Sequence, residues 1–487
     1  MKKNGKNPEE IKNISSMQGE DRDIKNDELL TGIPGGDFLK KGTSRRDFLK
    51  VLGFSFASAA IIESCKRPVQ YALPYVIQPP EITPGKALYY ASTFYDGHEY
   101  CGILVKTRDG RPIKIEGNAL SEFNMEGTTA RVQASVLSLY DDARLKYPTF
   151  QNKQDTWENI DKQIISKLST INISGGQIVL LASSIISPSA RRLINEFGKG
   201  FRNFKLVQYD TVSYSAILEA NLLCFGKAVI PDYNFSNASL VVSVNADFLG
   251  TWLAPVHFIP RYASRRNPDN KVGSMLKHVQ FESGMTLTGA NADIRKKLKP
   301  SEEKVLLIDL YNKIAERING VKTEGPAFRE DLSELADELV SSKRRSVVIS
   351  GTNNIDIQVI VNGINTLLDN YHECIDLNNC LNLASGIDGE MEALVNDLSS
   401  GKVGALLMYN VNPVYDYSEP DKFLTAISKT DLTVNMTVAL NETVGKAKYE
   451  CPVNHYLESW DDAEIMPGQL SLSQPCINQI FNTRSFH

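Results

Sequence analysis

From about residue 155 onward, the chain alternates between helical patterns and patterns typical of buried strands. Trp157, Ile160, Ile164 and Leu168 recur at the spacing of one helix face. Short uninterrupted apolar runs, typical of strands buried on both faces of a parallel sheet, follow at intervals. These runs are residues 178–181, 240–244, 346–350 and 405–408. The pattern predicts an α/β fold built from two doubly wound parallel-sheet units, with a division near residues 320–345.

Before residue 150 the pattern alternates every second residue, as in an antiparallel sheet. Residues 88–92, 102–106 and 112–116 predict short strands. The dipeptide Asp109-Gly110 predicts a tight hairpin turn between the last two, because it accepts the positive φ angles of such turns.

These patterns divide the chain into five predicted parts. They are an N-terminal extension with an export signal (1–64), a proline-containing linker (65–85), a small β-rich domain (86–150), an α/β unit (151–330) and a second, incomplete α/β unit (331–487).

The composition is that of an ordinary globular protein, with 42% hydrophobic and 23% charged residues over a length of 487. A net charge of -5 does not favour a nucleic-acid surface, which would show a basic imbalance. The seven cysteines are scattered and odd in number, which argues against a disulfide framework.

A twin-arginine export signal is predicted around Arg45 and Arg46. The pair is followed by the weakly apolar residues 51–62, which are too few to span a bilayer as a helix. Cys65 follows at the position where lipoprotein processing would acylate a cysteine, although Glu63 is unusual there. We therefore expect export to the periplasmic face of the inner membrane, with Cys65 as a lipidation site. The alternatives are an ordinary amphipathic helix with a basic start and a stray cysteine beside a signal-peptidase site.

The hairpin region, residues 100–118, resembles the N-terminal domain of molybdopterin oxidoreductases. In that family four cysteines bind a [4Fe-4S] cluster. The family spacing places Phe94, Gly97, Cys101 and Ala130 at the four positions, so that only Cys101 is a cysteine. Four ligands are needed for such a cluster, and we expect a cluster-free domain with Cys101 as a small buried hydrophobic residue.

Two further loops resemble the same family. Residues 246–252, which follow a predicted buried strand, are similar to a turn of this family at the carboxyl end of a strand, where such sheets bind nucleotides. Residues 284–293 are similar to a loop that helps hold the nucleotide part of the pterin in active members of the family. Ser283-Gly284 stands where the family has Asp-Pro, and Ser301 stands where it has Gly. These departures weaken the expectation of pterin binding.

The family's molybdenum ligand belongs to the preceding α/β unit. The comparable stretch contains Ser213 and Ser215. Either serine is a candidate ligand, but serines at a strand-to-helix turn more often cap the helix.

One branch of the superfamily, the B subunits of alternative complex III, matches best. The motifs that carry this resemblance are residues 91–97, 130–137, 246–249 and 455–464. The resemblance implies a scaffold subunit without its own cofactor, not catalytic alone, in a membrane quinol oxidoreductase of respiratory electron transport. It implies a multihaem cytochrome and integral quinol-binding subunits as partners.

The same family carries iron–sulfur clusters in a C-terminal ferredoxin-like part. This chain contains no C-x2-C-x2-C-x3-C-P motif, which predicts a truncated or split product. The alternative function is an active molybdopterin-dependent periplasmic oxidoreductase, with Ser213 or Ser215 on the metal.

Two other groupings of polar residues occur in the second half of the chain. His372, Cys374 and Cys380 form H-x-C-x5-C, which without a second pair more often represents buried cysteines than a metal site. Acidic residues surround His455, and we expect loop hydrogen bonds there, or a subunit contact. These residues are Glu458, Asp461, Asp462 and Glu464.

Overall fold

The alternating segments after residue 86 form an antiparallel sheet of three described strands. In chain order these are β1 Ala87–Tyr95, β2 Tyr100–Arg108 and β3 Arg111–Gly117. The predicted hairpin turn is confirmed, since Arg108 pairs with Arg111, and Asp109 and Gly110 have positive φ angles of 50° and 75°. A two-residue hairpin turn needs such angles, and glycine adopts them without strain.

The computed structural model of the chain describes residue 83, residues 85–269 and residues 275–487. The predicted export signal with Arg45 and Arg46, and the predicted lipidation site Cys65, lie outside the described residues. The described part belongs to one compact unit, Pro79–His487. Within it, no helix combines the length and the apolar character that crossing a membrane requires.

The largest sheet has seven described strands in the order β5-β4-β16-β15-β14-β6-β7. Their bounds are β4 Thr149–Phe150, β5 Lys153–Gln154, β6 Gln177–Ala182, β7 Phe204–Gln208, β14 Val403–Tyr409, β15 Leu432–Met436 and β16 Tyr449–Glu450. The neighbours from β7 to β16 are parallel, whereas β4 and β5 join the edge in antiparallel pairing. The central strands are aliphatic because helices cover both faces of the sheet.

A second sheet of four described strands is wholly parallel, in the order β11-β10-β9-β12. Its strands are β9 Leu240–Val244, β10 Lys277–Glu282, β11 Ile294–Lys297 and β12 Ser346–Ser350. Two antiparallel pairs complete the described strands. They are β8 Ile230–Tyr233 with β13 Ile375–Leu381, and β17 Asp461–Met466 with β18 Gln469–Ser473.

Helices connect the strands and begin at side-chain caps in several cases. Thr156 and Ser187 accept hydrogen bonds from backbone N–H groups of the first turns that follow them. The described helices are α1 Ala130–Ala134, α2 Trp157–Ser174, α3 Pro188–Lys199, α4 Ser215–Phe225, α5 Pro255–Ser264, α6 Leu287–Ala290, α7 Glu303–Arg317, α8 Ser333–Ser341, α9 Ile355–Leu367, α10 Asp388–Ser399, α11 Pro413–Asp416 and α12 Pro420–Ser428, with 3-10 helices at Ser135–Tyr140 and Pro300–Glu302. The α/β class with parallel sheets is thus confirmed.

The predicted division between residues 330 and 331 does not separate the two sheets. β6 pairs with β14 in the larger sheet, and β9 pairs with β12 in the smaller one, so each sheet contains strands from both sides of that division. A boundary between two domains is expected at a point in the chain that few contacts cross. Here hydrogen-bonded strand pairs join residues on the two sides of the predicted boundary. The part of the chain after residue 330 instead returns to both sheets and adds strands to each of them.

The small β-rich domain likewise draws on the end of the chain. Its core contains Cys101, Ile103 and Val105 from β2, together with Leu457 and Cys476. The hairpin β17–β18 lies beside β1, where the Thr93 hydroxyl donates to the carbonyl oxygen of Leu472 at 3.2 Å. Residues 455–477 therefore complete the core of this domain and pack against its first strand.

Candidate functional site

A cavity of about 510 Å³ opens at the carboxyl edge of the seven-stranded sheet. Ser183 and Ser184 follow β6, Asn410 follows β14 and Val438 lies just beyond β15, and all four line it. Parallel strands place their carboxyl ends along one edge, which is where open α/β sheets bind ligands. The cavity is therefore the candidate functional site.

The loop between β1 and β2 forms one wall of this cavity. Gly97 has a φ angle of 92°, and a Cβ atom added to it would lie 3.1 Å from the Ser183 side chain. The Asn410 side-chain amide donates to the Ser183 hydroxyl at 3.1 Å and to the carbonyl oxygen of Asp96 at 3.3 Å. Arg131 forms a salt bridge with the Asp96 carboxylate at 2.5 Å. These contacts fix the loop against the sheet.

A serine–histidine pair also lines the cavity. The His455 Nε2 atom is 2.8 Å from the Ser138 hydroxyl, while its Nδ1 atom accepts from the backbone N–H of Leu457. The Nε2 atom must then carry the proton and donate it, and Ser138 donates its own proton to the carbonyl oxygen of Ser135 at 2.6 Å. Burial, together with the nearby Arg144 charge, lowers the pKa of His455 to about 3. In a catalytic pair the serine hydroxyl would donate its proton to the histidine, which acts as the general base. Here the histidine donates to the serine, so the hydrogen bond runs in the opposite direction.

Residues near the end of the chain also line the cavity. The Phe486 ring stacks on Tyr409 with centroids 3.8 Å apart, and the His487 Nε2 atom lies 2.8 Å from the Asp461 carboxylate. The hydrogen bond to Asp461 raises the pKa of His487. Asp462 accepts hydrogen bonds from the hydroxyls of Ser187 and Ser189. Asp462 thus ties the wall to the start of α3.

The four vestigial cluster positions do not form a set of ligands. Phe94 and Cys101 are direct cross-strand partners and both are buried, whereas Gly97 faces Ser183 and Ala130 is exposed at the start of α1. Burial raises the pKa of the Cys101 thiol to about 12, and that thiol lies 3.4 Å from the carbonyl oxygen of Gly127. A [4Fe-4S] cluster needs four ligands, normally thiolates, so these residues do not fit one.

The loops that resemble the pterin-nucleotide site lie at the carboxyl edge of the four-stranded sheet. Asp247 accepts from the backbone N–H of Thr288 at 3.1 Å and from its hydroxyl at 2.7 Å. Glu282, fully buried at the end of β10, forms an ion pair with Arg295. Glu303, also buried, accepts hydrogen bonds from neighbouring side chains.

These three carboxylates meet their own polar partners inside the chain. A Cβ atom added to Gly289 would lie 1.9 Å from the Glu282 carboxylate, so the carboxylate fills the space beside the loop. The phosphates of a dinucleotide are anionic and bind where N–H groups and cations face them. This strand edge presents carboxylates, and it does not fit the nucleotide of a pterin cofactor.

Ser213 and Ser215 lie apart from the cavity lining. The Ser213 hydroxyl donates to Asp388 at 2.8 Å, and the Ser215 hydroxyl donates to Glu219 at 2.9 Å. Ser213 also accepts from the backbone N–H of Ser215, just before α4. Both serines therefore make local hydrogen bonds around the start of that helix.

The remaining polar groupings are internal too. Cys374 is buried and its thiol lies 3.4 Å from the carbonyl oxygen of Arg344. Among the described residues, no group of three or more His, Cys, Asp or Glu side chains has a geometry suited to a metal ion. Glu458 forms a fully buried ion pair with Arg144 at 2.6 Å.

Sequence reasoning missed the residues that shape the cavity, namely Ser183, Asn410 and Arg131. Ser183 and Asn410 are the first residues after apolar runs, which is the one feature that could have found them. Arg131 and its partner Asp96 lie in the motifs 130–137 and 91–97, but their pairing has no local signature because the two segments meet only in the folded chain.

Comparison with known proteins agrees with this architecture. No protein-family model matches the chain. The solved structure of acetylene hydratase from Pelobacter acetylenicus is similar with a TM-score of 0.64, over 82% of this chain and 68% of that one, at 12% sequence identity. The chain therefore has the fold of the molybdopterin oxidoreductases.

Among curated proteins, the chain is similar to the menaquinone reductase, molybdopterin-binding-like subunit of Nitratidesulfovibrio vulgaris (strain Hildenborough). The two are 22% identical over 434 residues, which cover 79% of this chain and 61% of the relative. The chain thus spans about three fifths of the length of that relative. The similarity to molybdopterin-binding-like subunits that the motifs predict is confirmed.

Proposed function

We propose that this chain is a subunit of a membrane quinone oxidoreductase and serves there as a scaffold without a cofactor of its own. The carboxylates at the carboxyl edge of the four-stranded sheet carry this proposal. Asp247, Glu282 and Glu303 occupy this edge. Each of them is held there by a hydrogen bond or an ion pair with a residue of the same chain. A shared fold does not confer an activity when the residues at the position of the site bind other parts of the same chain.

The likeness to a menaquinone reductase subunit supports the assembly part of the proposal. In such an assembly the chain would contact a multihaem cytochrome and integral quinol-binding subunits, and electrons would travel through cofactors in other parts. The Arg45-Arg46 pair and Cys65 support export by the twin-arginine route and attachment at the periplasmic face of the inner membrane.

Metal analysis of the purified native assembly tests the scaffold role. The assembly is isolated through an affinity tag on this chain, and molybdenum is measured by mass spectrometry against the amount of chain. We expect molybdenum far below one atom per chain, because carboxylates and their partners in the chain occupy the strand edge where a pterin dinucleotide would place its phosphates. Stoichiometric molybdenum would overturn the proposal in favour of an active molybdopterin enzyme.

The assembly part is tested in the same preparation by its other polypeptides. We expect a haem-containing subunit and an integral membrane subunit to co-purify in fixed ratio with the chain. A chain that elutes alone from solubilised native membranes, and alone from the periplasmic fraction, would contradict the proposed membership.

A further inference from the structure

Four large apolar side chains are exposed around the mouth of the cavity. Leu137, Tyr140, Leu440 and Trp460 are exposed to 68%, 48%, 60% and 60%, respectively. We call these four residues the mouth surface. Scattered apolar residues are common on protein surfaces, whereas a group of them beside a cavity marks a contact site.

The 3-10 helix Ser135–Tyr140 explains why two of them face solvent. Residues three apart share a face in such a helix. Ser135, Ser138 and Asp141 line the cavity, while the face of Val136 and Leu139 is buried. The third face, with Leu137 and Tyr140, is left exposed.

The other two residues lie next to this helix. The backbone N–H of Leu440 donates to the carbonyl oxygen of Ala143 at 2.8 Å, which holds the segment after β15 against the residues that follow the helix. Trp460 lines the cavity together with Ser138 and Asp141. Each residue of the mouth surface therefore lies in the lining of the opening or directly beside a residue of that lining.

The charge inside the opening is negative. Arg131 is occupied by Asp96, and His487 is occupied by Asp461. Asp141 accepts from the backbone N–H of Ala143, and among the described residues it has no cationic partner within salt-bridge distance.

Asp462 is in the same situation, since it accepts from Ser187 and Ser189 but pairs with no cation of the described chain. The Lys146 ammonium group lies over the Phe481 ring and forms no salt bridge with either carboxylate in the described part of the chain. Among the described residues neither carboxylate forms a salt bridge, although His487 lies close enough to lower the pKa of Asp462, and Asp141 is the carboxylate left for a partner beside the exposed apolar side chains.

We propose that the mouth surface docks a basic segment of a partner polypeptide, which places a lysine or arginine side chain at Asp141 and covers Leu137 and Trp460 with apolar groups. This inference rests on the proposed membership in an assembly. A second copy of the chain, related by two-fold symmetry, would bring the same acidic opening against itself. An anionic lipid surface would meet these carboxylates with like charge. A basic polypeptide satisfies both the charge and the apolar area.

Site-specific photo-crosslinking in cells that make the native assembly tests the docking. A benzophenone amino acid is placed at Leu137 and, separately, at Trp460 in the full chain. Ile173 on α2 and Val321, which are exposed to 75% and 83%, serve as matched control positions. We expect crosslinks to one partner segment from Leu137 and Trp460 and none to that segment from the controls, with a lysine or arginine close to the crosslinked residue in the mapped peptide.

A pair of charge variants separates the effect of the Asp141 carboxylate from the effect of negative charge elsewhere on this surface. Asp141→Lys changes the charge in the opening, and Asp142→Lys makes the same change at the next residue, which does not line the cavity. We expect Asp141→Lys to lower the crosslinking yield from Trp460 by up to about fivefold, as the loss of an exposed ion pair allows, and Asp142→Lys to lower it less. Equal effects of the two variants would overturn the role of Asp141.

The outcomes distinguish this inference from the proposed function. Crosslinks from the mouth positions to lipid, to residues 1–82 of the same chain, to a second copy or to an acidic segment would overturn the docking. If the chain co-purifies with its assembly but the mouth positions give no crosslinks, the docking is wrong and the membership stands. If neither copurification nor any crosslink is found, both fail.

Discussion

At the scale of single residues, the buried ion pair between Arg144 and Glu458 joins distant parts of the chain. The two residues are 314 positions apart, and both side chains are fully buried. Glu458 also accepts from the backbone N–H groups of His455 and Ile480. Burial raises the pKa of Glu458, but these hydrogen bonds and the Arg144 charge together hold it below its usual range.

Removal of the arginine should destabilise the fold strongly. Arg144→Met leaves the Glu458 carboxylate buried without its cation, and we expect a loss of about 3–5 kcal/mol in the free energy of unfolding. Urea denaturation followed by circular dichroism measures this loss. Lys162→Met, which removes the exposed pair with Glu158 on α2, is the matched control and should cost about 0.5 kcal/mol or less. Similar losses for the two variants would contradict the prediction.

The sequence identified one half of this pair but not the other. Glu458 belongs to an acidic motif around His455, and loop hydrogen bonds were expected there. Arg144 lies in an unremarkable polar stretch, and only the packing of the chain's end against the small β-rich domain brings the two together. Charge pairs far apart in sequence leave no local pattern.

At the scale of elements, β10 shows how a buried strand can carry polar groups on one face. Val279 and Phe281 face the apolar core, while His278, Gln280 and Glu282 alternate with them and are fully buried. Hydrogen bonds link the three along the strand, at 3.1 Å and 3.3 Å. The strand is stable because each polar group has a partner.

This strand should make the protein sensitive to acid. Burial lowers the pKa of His278 to about 4, whereas an unfolded chain binds the proton near pH 6.5. The unfolded state therefore binds more protons between these values, and stability that is present above pH 6.5 falls as the pH approaches 4. We expect a loss of about 2 kcal/mol between pH 7 and pH 5 from this residue, measured by urea denaturation.

The variant His278→Gln keeps a hydrogen-bonding side chain and removes the titration. Its stability should fall less than that of the natural chain over the same pH range. His455→Gln should act in the same direction, because burial also lowers the pKa of His455, to about 3. Parallel pH profiles for the natural chain and His278→Gln would show that this histidine is not responsible.

Element prediction succeeded where the pattern was long enough. The apolar runs became β6, β9, β12 and β14, and the helical spacing after Trp157 became α2. The two-residue strands β4, β5 and β16 could not be predicted. Two residues show no periodicity, and their assignment depends on the neighbour with which they pair.

At the scale of the whole molecule, the interleaved sheets determine what can fold alone. β6 and β14 are interior neighbours in the larger sheet, and β9 and β12 pair in the smaller one. Separation of the chain after residue 330 would expose the apolar faces and edges of both sheets at once.

We therefore predict that fragments 86–330 and 331–487 do not fold independently. Each fragment should lack a cooperative urea transition, because half of each core is missing. Co-expression of the two should recover soluble, paired material, whereas either alone aggregates. A cooperative transition for fragment 331–487 alone would show that the second half is a separate domain after all.

The sequence by itself determined the kind of protein, because local patterns and motifs carry that information. Apolar runs predicted parallel strands, Asp109-Gly110 predicted the hairpin, and the motif around Cys101 predicted the molybdopterin-oxidoreductase resemblance. Only the tertiary structure decided how strands from both halves share each sheet, and which side chains occupy the strand edges. Glu282 and Arg295, for example, form an ion pair because the parallel pairing of β10 with β11 places Arg295 opposite Gln280, one position diagonal to Glu282 on the same face. The physical reason is that register and long-range pairing depend on packing between segments, which no single segment encodes.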